Sequence, residues 1–415
     1  MPKKLKALLK LPKRESICVR CKGGKMLCGK LSCPLLMRVK HFLKVKDLGR
    51  DIFGSSPPGI FIGRFGYPKV FVGPLVPPIH KDTSLYDDPE HWLGLSIEEI
   101  VRFRMQLVRG KKRVNIRELS GKTIDAIQEL ALSKKPVDCE MELEKKPTKR
   151  IILDDNVQPM GPSAPLNKVG ISSSKTDKRI ERAFYDTDLK AREALLELFS
   201  SKTPLTRIQK GLAAGLFGVR QNRRLVPTRW SITAVDSTLS LELVEKVKEN
   251  LWINEILVFK SINLDNRFVV LMIPDAWSYE LMEAWYPGTT WNPSGKNIFL
   301  FGDSEGYRGR TTYARIGGCY YAARLATCEY LVREKRQAKV VIMREAHPGY
   351  LMPVGVWNVR ESVRVALRRV PLKFDSLEEA LARISQEFDI SIEDWMKNSS
   401  LLTEHFVQRK LETWF

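Results

Sequence analysis

The feature of this sequence that most restricts its fold is a group of four cysteines near the N-terminus. Cys18, Cys21, Cys28 and Cys33 follow the spacing C-x2-C-x6-C-x4-C in the segment CVRCKGGKMLCGKLSCP. The CxxC step lets two thiolates bind one tetrahedral metal ion, and the glycines between them permit the sharp turns of a knuckle. Two disulfides or a redox CxxC are the alternatives, but disulfides suit secreted chains and a thioredoxin-like motif has a single pair. The spacing predicts a structural zinc knuckle over residues 14–36.

The length and charge of the chain restrict its class. A chain of 415 residues is longer than one typical core requires, so two or more domains are expected. Lysine and arginine number 69 against 48 acidic residues, which gives a net charge of +21 and a pI near 9.6. This excess favours a polyanionic partner, either nucleic acid or an anionic membrane surface. No apolar run approaches the length of a membrane span, and the basic N-terminus is too broken for a signal peptide, so we expect a cytoplasmic protein.

The first half of the chain alternates between strand and helix patterns. In VDCEMELEK, apolar residues from Val137 to Leu143 alternate with acidic ones, which is typical of a half-buried strand. SIEEIVRFRMQLVRG has a capping serine and an apolar stripe, which predict a helix over residues 96–110. Residues 155–178 are rich in Pro, Gly and Ser and predict a linker. Further predicted elements are turn-linked strands over 59–78, helices near 122–134, 179–200 and 204–217, a strand over 226–236 and a helix over about 238–250.

The second half continues the alternation. NEILVFKSIN and RFVVLMIPD, joined by Leu-Asp-Asn, predict a β-hairpin. Strands are predicted over 297–303 and 339–345, a helix over 318–336, and two more helices that end near residue 390. The fold class is therefore α+β, with mixed sheets and packed helices, and the strand order is not predicted.

Three arginine-rich segments are candidate phosphate contacts, because guanidinium groups match phosphate oxygens. GLFGVRQNRRLVPTRW (215–230) adds a tryptophan that can stack on a base, although a basic loop paired to acidic residues is the alternative. FGDSEGYRGRTTYARIGG (301–318) leads into a helix start, where glycines can also serve packing alone. WNVRESVRVALRRV (357–370) repeats arginine every four residues along one helix face, although such a stripe is more commonly a solvent-exposed face that binds no ligand. The candidates are Arg220, Arg223, Arg224 and Arg229, then Arg308, Arg310 and Arg315, then Arg360, Arg364 and Arg368.

An enzymatic alternative depends on a small polar cluster. Glu345 and His347 in REAHPG, with Asp303, Glu305 or Asp236 from other strand ends, are residue types that hold a metal for phosphodiester hydrolysis. A single histidine before Pro-Gly is more often structural. A nucleotide-processing enzyme or a metal-dependent nuclease is the alternative function, and no catalytic residue is assigned.

The C-terminal octapeptide QRKLETWF ends in two large aromatic residues. It fits Q-x-x-(Leu/Ile/Met)-x-x-aromatic-aromatic, the clamp-binding peptide known as the PIP box, with Gln408, Leu411, Trp414 and Phe415 at the defining positions. One helical turn groups the three apolar residues into a plug for a preformed groove. The alternative is a terminal element that packs these aromatics into its own core. We expect a flexible tail over residues 401–415.

These features together resemble the archaeal Nre proteins over nearly the whole chain. The resemblance lies in the four-cysteine knuckle, the terminal PIP box and the stretches GIFIGRFGYPKVFVGP, QNRRLVPTRWSITAVD, GGCYYAARLATCEYL and REAHPGYLMPVGVWNVRES. It implies a role in DNA-damage repair, binding of the sliding clamp (proliferating cell nuclear antigen) by the four tail residues, and zinc on the four cysteines. It also implies an N-terminal region over 37–295 and a C-terminal region over 296–400. No catalytic residue set comes with it.

The expected function is that of a repair factor that holds DNA through basic surfaces, with little sequence preference, and is recruited by the clamp. Other excision-repair proteins are a further class of partner that such a role implies. A nucleotide-processing enzyme or metal-dependent nuclease and a purely structural clamp adaptor remain as alternative functions.

Overall fold

The computed structural model describes residues 48–148, 160–289, 291–292 and 296–412, with strand residues 9–10 and 151–152 and short stretches between residues 21 and 40. Side chains are described as far as Val407. The fold is α+β, as the sequence predicts. The chain divides into two compact units, and the main division lies between Leu239 and Ser240.

The first unit is built on a six-stranded mixed sheet. Its strands, in chain order, are β2 (Asp51–Ser56), β3 (Ile60–Ile62), β4 (Lys69–Val76), β5 (Val108–Asn115), β6 (Val137–Leu143) and β8 (Ser163–Ile171), while β1 (Leu9–Lys10) and β7 (Ile151–Ile152) form a separate parallel pair. The order in the sheet is β2-β6-β8-β5-β4-β3, with β5 and β8 parallel and all other neighbours antiparallel. Strand β6 alternates as predicted, with Cys139 and Met141 buried.

Six helices accompany this sheet in the described part of the chain. They are α1 (Ile97–Gln106), α2 (Lys122–Leu132), α3 (Lys178–Tyr185), α4 (Ala191–Ser200), α5 (Leu205–Ala213) and α6 (Thr228–Lys248), the last of which runs past the division between the units. Ser96 caps α1 in a capping box with Glu99, because the hydroxyl accepts the Glu99 amide and the carboxylate accepts the Ser96 amide. The cap and the apolar stripe confirm the predicted start of this helix.

Three predictions for the first unit differ from the structure, one in the end of a helix and two in the kind of element. The predicted helix over 96–110 ends at Gln106, and the basic run that follows belongs to β5, because pairing with β4 and β8 outweighs the local helical pattern. The predicted linker over 155–178 contains β8, because pairing of Leu166 to Ile171 with β6 outweighs the local Pro, Gly and Ser content. The predicted strand over 226–236 is the start of α6. Its β-branched residues favour a strand locally, but Ser231 and Val235 are fully buried at helical spacing.

The second unit has its own six-stranded mixed sheet. Its strands are β9 (Ile256–Asn263), β10 (Asn266–Ile273), β11 (Ser278–Trp285), β12 (Phe299–Glu305), β13 (Lys339–Ala346) and β14 (Leu372–Phe374), in the order β12-β11-β13-β10-β9-β14. Only β11 and β13 are parallel. The predicted hairpin is confirmed as β9–β10, with Leu264 and Asp265 at φ 48° and 56° in the two-residue turn.

Helices cover both faces of this second sheet. They are α7 (Gly318–Glu334), α8 (Trp357–Arg368), α9 (Leu377–Ile384), α10 (Ile392–Asn398) and α11 (Ser400–Glu412). One core packs α7 and α8 against strand residues such as Val270 and Val340, and the other packs α9, α10 and α11 against residues such as Leu271 and Val341. Because alternate residues of the central strands face opposite cores, β10, β11 and β13 are buried along almost their whole length.

Candidate nucleic-acid interface

One face of the first sheet carries alternating aromatic and basic side chains on three adjacent strands. Phe61 of β3 and Phe71 of β4 project between residues that are buried, and the partly or fully exposed Lys69 of β4 and Lys111 and Arg113 of β5 alternate with buried residues on the other face less strictly. Phe71 lies directly opposite Arg113 in the antiparallel register. The Lys111 ammonium lies 5.9 Å from the centre of the Phe71 ring, so these side chains share one surface. We call Phe61, Lys69, Phe71, Arg109, Lys111 and Arg113 the basic–aromatic face.

Glycine makes this face possible at one position. Gly73 of β4 is opposite Phe61, and a Cβ atom there would lie 1.8 Å from the Gly110 carbonyl oxygen and 3.2 Å from the Phe61 ring. The first distance is shorter than real Cβ contacts allow, and the second is tighter than most of them. The absence of a side chain therefore lets β5 pair closely and lets the Phe61 ring lie over the sheet.

Among the described residues, no nearby acid neutralises the positive charge of this face. In the part of the chain that the structure describes, Lys69, Lys111 and Arg113 have no carboxylate partner within salt-bridge distance. Burial lowers the pKa of the Lys111 ammonium below its ordinary value, and repulsion from Arg109 and Lys145 lowers it further. Burial also lowers the pKa of the Arg109 guanidinium to about 10. Cations that repel one another at close range form a surface that an anion would stabilise.

The loop between β3 and β4 extends this surface. Its aromatic residues Phe65 and Tyr67 are exposed, and the Arg64 guanidinium lies 5.1 Å from the centre of the Phe65 ring. Tyr67 contacts Trp230 at the start of α6, with ring centres 5.2 Å apart. The Ile62 amide donates to the Thr228 hydroxyl at 2.9 Å, which fixes the end of β3 to that helix start. The helix therefore brings Trp230 beside the loop.

The first predicted arginine segment divides into a structural residue and exposed ones. Arg223 donates to the carbonyl oxygens of Gly218, Phe184 and Asp186 at 2.6, 2.7 and 2.6 Å, so its guanidinium is used within the fold. Arg220, Arg224 and Arg229 are exposed. Of these, Arg229 directly precedes Trp230 in the first turn of α6.

The second segment is organised around one carboxylate. Arg310 forms an ion pair with Asp303 at 2.9 Å and lies 4.8 Å from the centre of the Tyr320 ring, while Asp303 also accepts the Arg315 amide at 2.6 Å. This network fixes the loop before α7. The side chains of Arg308 and Arg315 are exposed.

The arginines of α8 do not form the solvent-facing stripe that their spacing suggests. Arg360 is 1% exposed and contacts Glu361. Arg364 makes two hydrogen bonds to Glu329, at 2.8 and 2.6 Å, and a third to Glu361. Arg368, at the end of the helix, is exposed. Packing of α8 on the sheet and on α7 thus places two of these three charges inside ion-pair networks.

Glu345 and His347 are in contact, as the enzymatic alternative requires. His347 Nε2 lies 3.0 Å from Glu345 Oε2, and Asp389 completes a group of three residues that could hold a metal. However, the fully buried Glu345 also accepts the Ile390 and Asp389 amides at 2.9 and 3.3 Å. This is the geometry of a carboxylate that anchors the loop before α10, because its lone pairs are already engaged.

The other acidic candidates have different partners. Asp303 pairs with Arg310 as described, Glu305 forms a buried ion pair with Arg324 at 2.6 Å, and Asp236 accepts the Gln209 amide at 3.2 Å. Each of these carboxylates is therefore engaged in the fold.

The predicted zinc and clamp residues fall mostly outside the described residues. Cys18 and Cys28 lie outside them, while Cys21 is buried and Cys33 is partly exposed. Trp414 and Phe415 also lie outside them. The backbone of Gln408 and Leu411 belongs to α11, which shows that the octapeptide begins within a helix.

Phe65, Tyr67, Phe71 and Lys69 are not among the contact residues predicted from the sequence. A signal was present in GRFGYPKVFVG, where aromatic and basic residues alternate in a segment already assigned to strands. The alternation was not interpretable without knowledge of which face is buried. Strand pairing with β5 then brings Arg113 and Lys111 beside these rings.

The fold and this face define an α+β protein with an exposed surface suited to a polyanion. No helix in the described ranges is long and apolar enough to cross a membrane. The chain belongs to the archaeal Nre family, because residues 27–292 match its N-terminal model and residues 305–414 its C-terminal model. This confirms the resemblance. No solved structure matches the chain.

Relatives of known name cover most of the chain. It is 44% identical to the DNA repair protein NreB of Archaeoglobus fulgidus, over 93% of this chain and 96% of that protein. It is 39% identical to the DNA repair protein NreA of the same organism, over 90% and 94%. It is 32% identical to the DNA repair protein NreA of Haloferax volcanii, over 85% and 87%.

Proposed function

We propose that this protein acts in DNA repair and binds DNA through the basic–aromatic face. The observation that carries the proposal is the set of cations on β4 and β5 that have no carboxylate partner among the described residues, together with the contact between Lys111 and the exposed Phe71 ring. The names of the relatives support a role in repair. Such a surface contacts phosphates without reading base edges, so little sequence preference is expected.

The test compares two triple variants in DNA titrations at several salt concentrations. Replacement of Lys69, Lys111 and Arg113 by glutamine should weaken binding and reduce the slope of log affinity against log salt by about 2 to 3, since each phosphate contact contributes about 0.7 to 0.9. This variant and the control described next both keep the chain length and remove three positive charges. The control replaces three lysines that line another cleft of the same unit, namely Lys81, Lys135 and Lys175. Equal losses in the two variants would show that binding depends on net charge alone and would refute the assignment.

We also propose that the C-terminal octapeptide recruits the protein to the sliding clamp. The support is the match of four residues to the clamp-binding pattern and the helical backbone at Gln408 and Leu411. The paired substitution Trp414→Ala and Phe415→Ala should abolish capture by the purified clamp, because the anchors that fill the groove are lost. The unfolding midpoint should not change. Full retention of clamp binding would contradict this proposal.

A structural zinc ion on Cys18, Cys21, Cys28 and Cys33 is proposed from their spacing. Metal analysis of protein purified under reducing conditions should find about one zinc per chain, since four thiolates complete one tetrahedral site. Cys139 is a matched control because it is buried in the core of the first sheet. Cys21→Ser should lose the zinc, whereas Cys139→Ala should keep it. Protein without zinc would refute the site.

A further inference from the structure

The proposed function leaves open which form of DNA the protein holds. We propose that the basic–aromatic face and the adjoining β3–β4 loop bind single-stranded DNA, with the exposed rings stacking on unpaired bases. This inference rests on the proposed DNA binding and specifies its substrate. The proposed site contains four exposed aromatic rings, those of Phe65, Tyr67, Phe71 and Trp230.

These four aromatic side chains are more exposed to solvent than the packing of the fold requires. Phe65 is 78% exposed, and Tyr67, Phe71 and Trp230 are 46%, 45% and 44% exposed. Large apolar side chains clustered on a surface indicate a binding site more often than chance exposure. The cluster is not a core fragment, because buried Val70 and Val72 of β4 point to the other side of the sheet.

The chemistry around the rings selects a nucleic acid over an apolar protein partner. Cations lie beside two of them, Arg64 at 5.1 Å from the Phe65 ring centre and Lys111 at 5.9 Å from that of Phe71. Arg113 lies at the base of the loop, with Nη2 3.4 Å from where a Cβ atom of Gly66 would be. A base stacked on either ring would therefore place its phosphate near a positive charge. Rings and cations in alternation are the usual combination for single strands.

Unpaired bases fit this surface better than a duplex does. In duplex DNA the bases stack on one another, so only their edges and the phosphates are accessible to a protein. The cations alone would serve a duplex, but the rings would then have no stacking partner. In a single strand the faces of the bases are free, and stacking on an aromatic side chain contributes about 1–3 kcal/mol per base.

The loop that presents Phe65 is held in one conformation. Gly66 has φ +83°, and a Cβ atom on it would lie 2.8 Å from the Lys69 carbonyl oxygen, so glycine is required there. The Lys69 amide donates to Gly66 at 2.9 Å, and the Gly63 amide donates to Phe71 at 2.7 Å. These bonds fix both sides of the loop. Phe65 is thus positioned before any ligand binds, which lowers the entropy cost of binding.

The experiment measures the affinity of the full chain for a labelled oligothymidine and for a duplex of equal length. The unmodified protein should bind the single strand more tightly. Phe65→Ala and Phe71→Ala should each weaken single-strand binding by about 5- to 150-fold, which corresponds to the stacking contribution of one base. Duplex binding should change less than twofold. The rings are exposed, so the unfolding midpoints should remain close to that of the unmodified protein.

A matched control is Phe53→Ala. Phe53 is 55% exposed on β2 of the same sheet, but it packs on His80 and lies opposite Glu140 of the acidic strand β6. This variant should bind both DNAs normally. If Phe65→Ala and Phe71→Ala have no more effect than Phe53→Ala, or if duplex is bound as tightly as single strand, the stacking inference is overturned. In that case DNA binding itself would still be judged by the lysine and arginine variants above, so the two failures are distinguishable.

Discussion

Removal of the Glu280 carboxylate should release the helix that leads to the C-terminal octapeptide. Glu280 of β11 is 1% exposed and accepts the Ser400 and Leu401 amides at 2.9 and 3.2 Å, as well as the Ser399 hydroxyl. It therefore caps the first turn of α11, where Leu401 and Leu402 are buried. The tail predicted over 401–415 thus begins as a helix fixed to the second unit.

The magnitude follows from those three bonds. Hydrogen bonds to a charged group contribute about 1.5–3 kcal/mol each, but desolvation of the buried carboxylate offsets much of this. We expect Glu280→Ala to lower the free energy of local opening of α11 by about 2–3 kcal/mol, comparable to the loss of a strong cap with donors left unpaired. Amide hydrogen exchange over residues 399–407 should then accelerate by about 30- to 150-fold. The control is Glu404→Ala, an exposed acid on the same helix. Unchanged exchange in Glu280→Ala would refute the capping role.

The same residue gives a pH dependence with a definite sign. Burial raises the pKa of the Glu280 carboxyl above its ordinary value of 4.5 and outweighs the hydrogen bonds that lower it. The folded state therefore binds this proton more tightly than the unfolded state. The stability it contributes is complete below the unfolded pKa and is lost as pH rises through the folded pKa. The free energy of unfolding of the unmodified protein, measured in urea relative to that of Glu280→Gln, should fall as pH rises from acid to neutral. A flat or opposite difference would contradict this assignment.

Three further substitutions test the interior. Glu283→Ala should destabilise the second unit by about 3–5 kcal/mol in urea unfolding, because it leaves Arg344, which is 2% exposed and 2.6 Å from Glu283, as an unpaired buried charge. The exposed Arg333→Ala should change stability by less than about 0.5 kcal/mol, and equal effects of the two would refute the argument. Arg223→Ala should lower the free energy of unfolding by about 2 kcal/mol, because its three hydrogen bonds to carbonyl oxygens are lost. DNA titrations at a temperature below the unfolding midpoint of the variant should show unchanged affinity. Gly73→Ala should cost about 3 kcal/mol in thermal unfolding, because the new Cβ would collide with a carbonyl of β5, and a normal midpoint would contradict the close pairing.

The sequence by itself determined the elements whose patterns are local. The alternation in β6, the hairpin of β9 and β10 and the cap of α1 each depend on residues within about ten positions of one another. The fold class followed from these elements, and the family followed from stretches whose amino-acid sequence is distinctive. The clamp-binding and zinc proposals also rest on sequence, because their residues depend on spacing within one short segment.

Tertiary structure alone decided which charges face solvent. Arg223 and Lys111 are equally basic in the sequence, but carbonyl groups from distant segments bind Arg223, while Lys111 lies on an open strand face beside Phe71. The same holds for α8, where Glu329 of another helix binds Arg364. Whether a charged side chain faces solvent therefore depends on hydrogen-bond partners that are remote in the chain. Local periodicity carries no information about them, so the face that we propose for single-stranded DNA is a product of strand pairing.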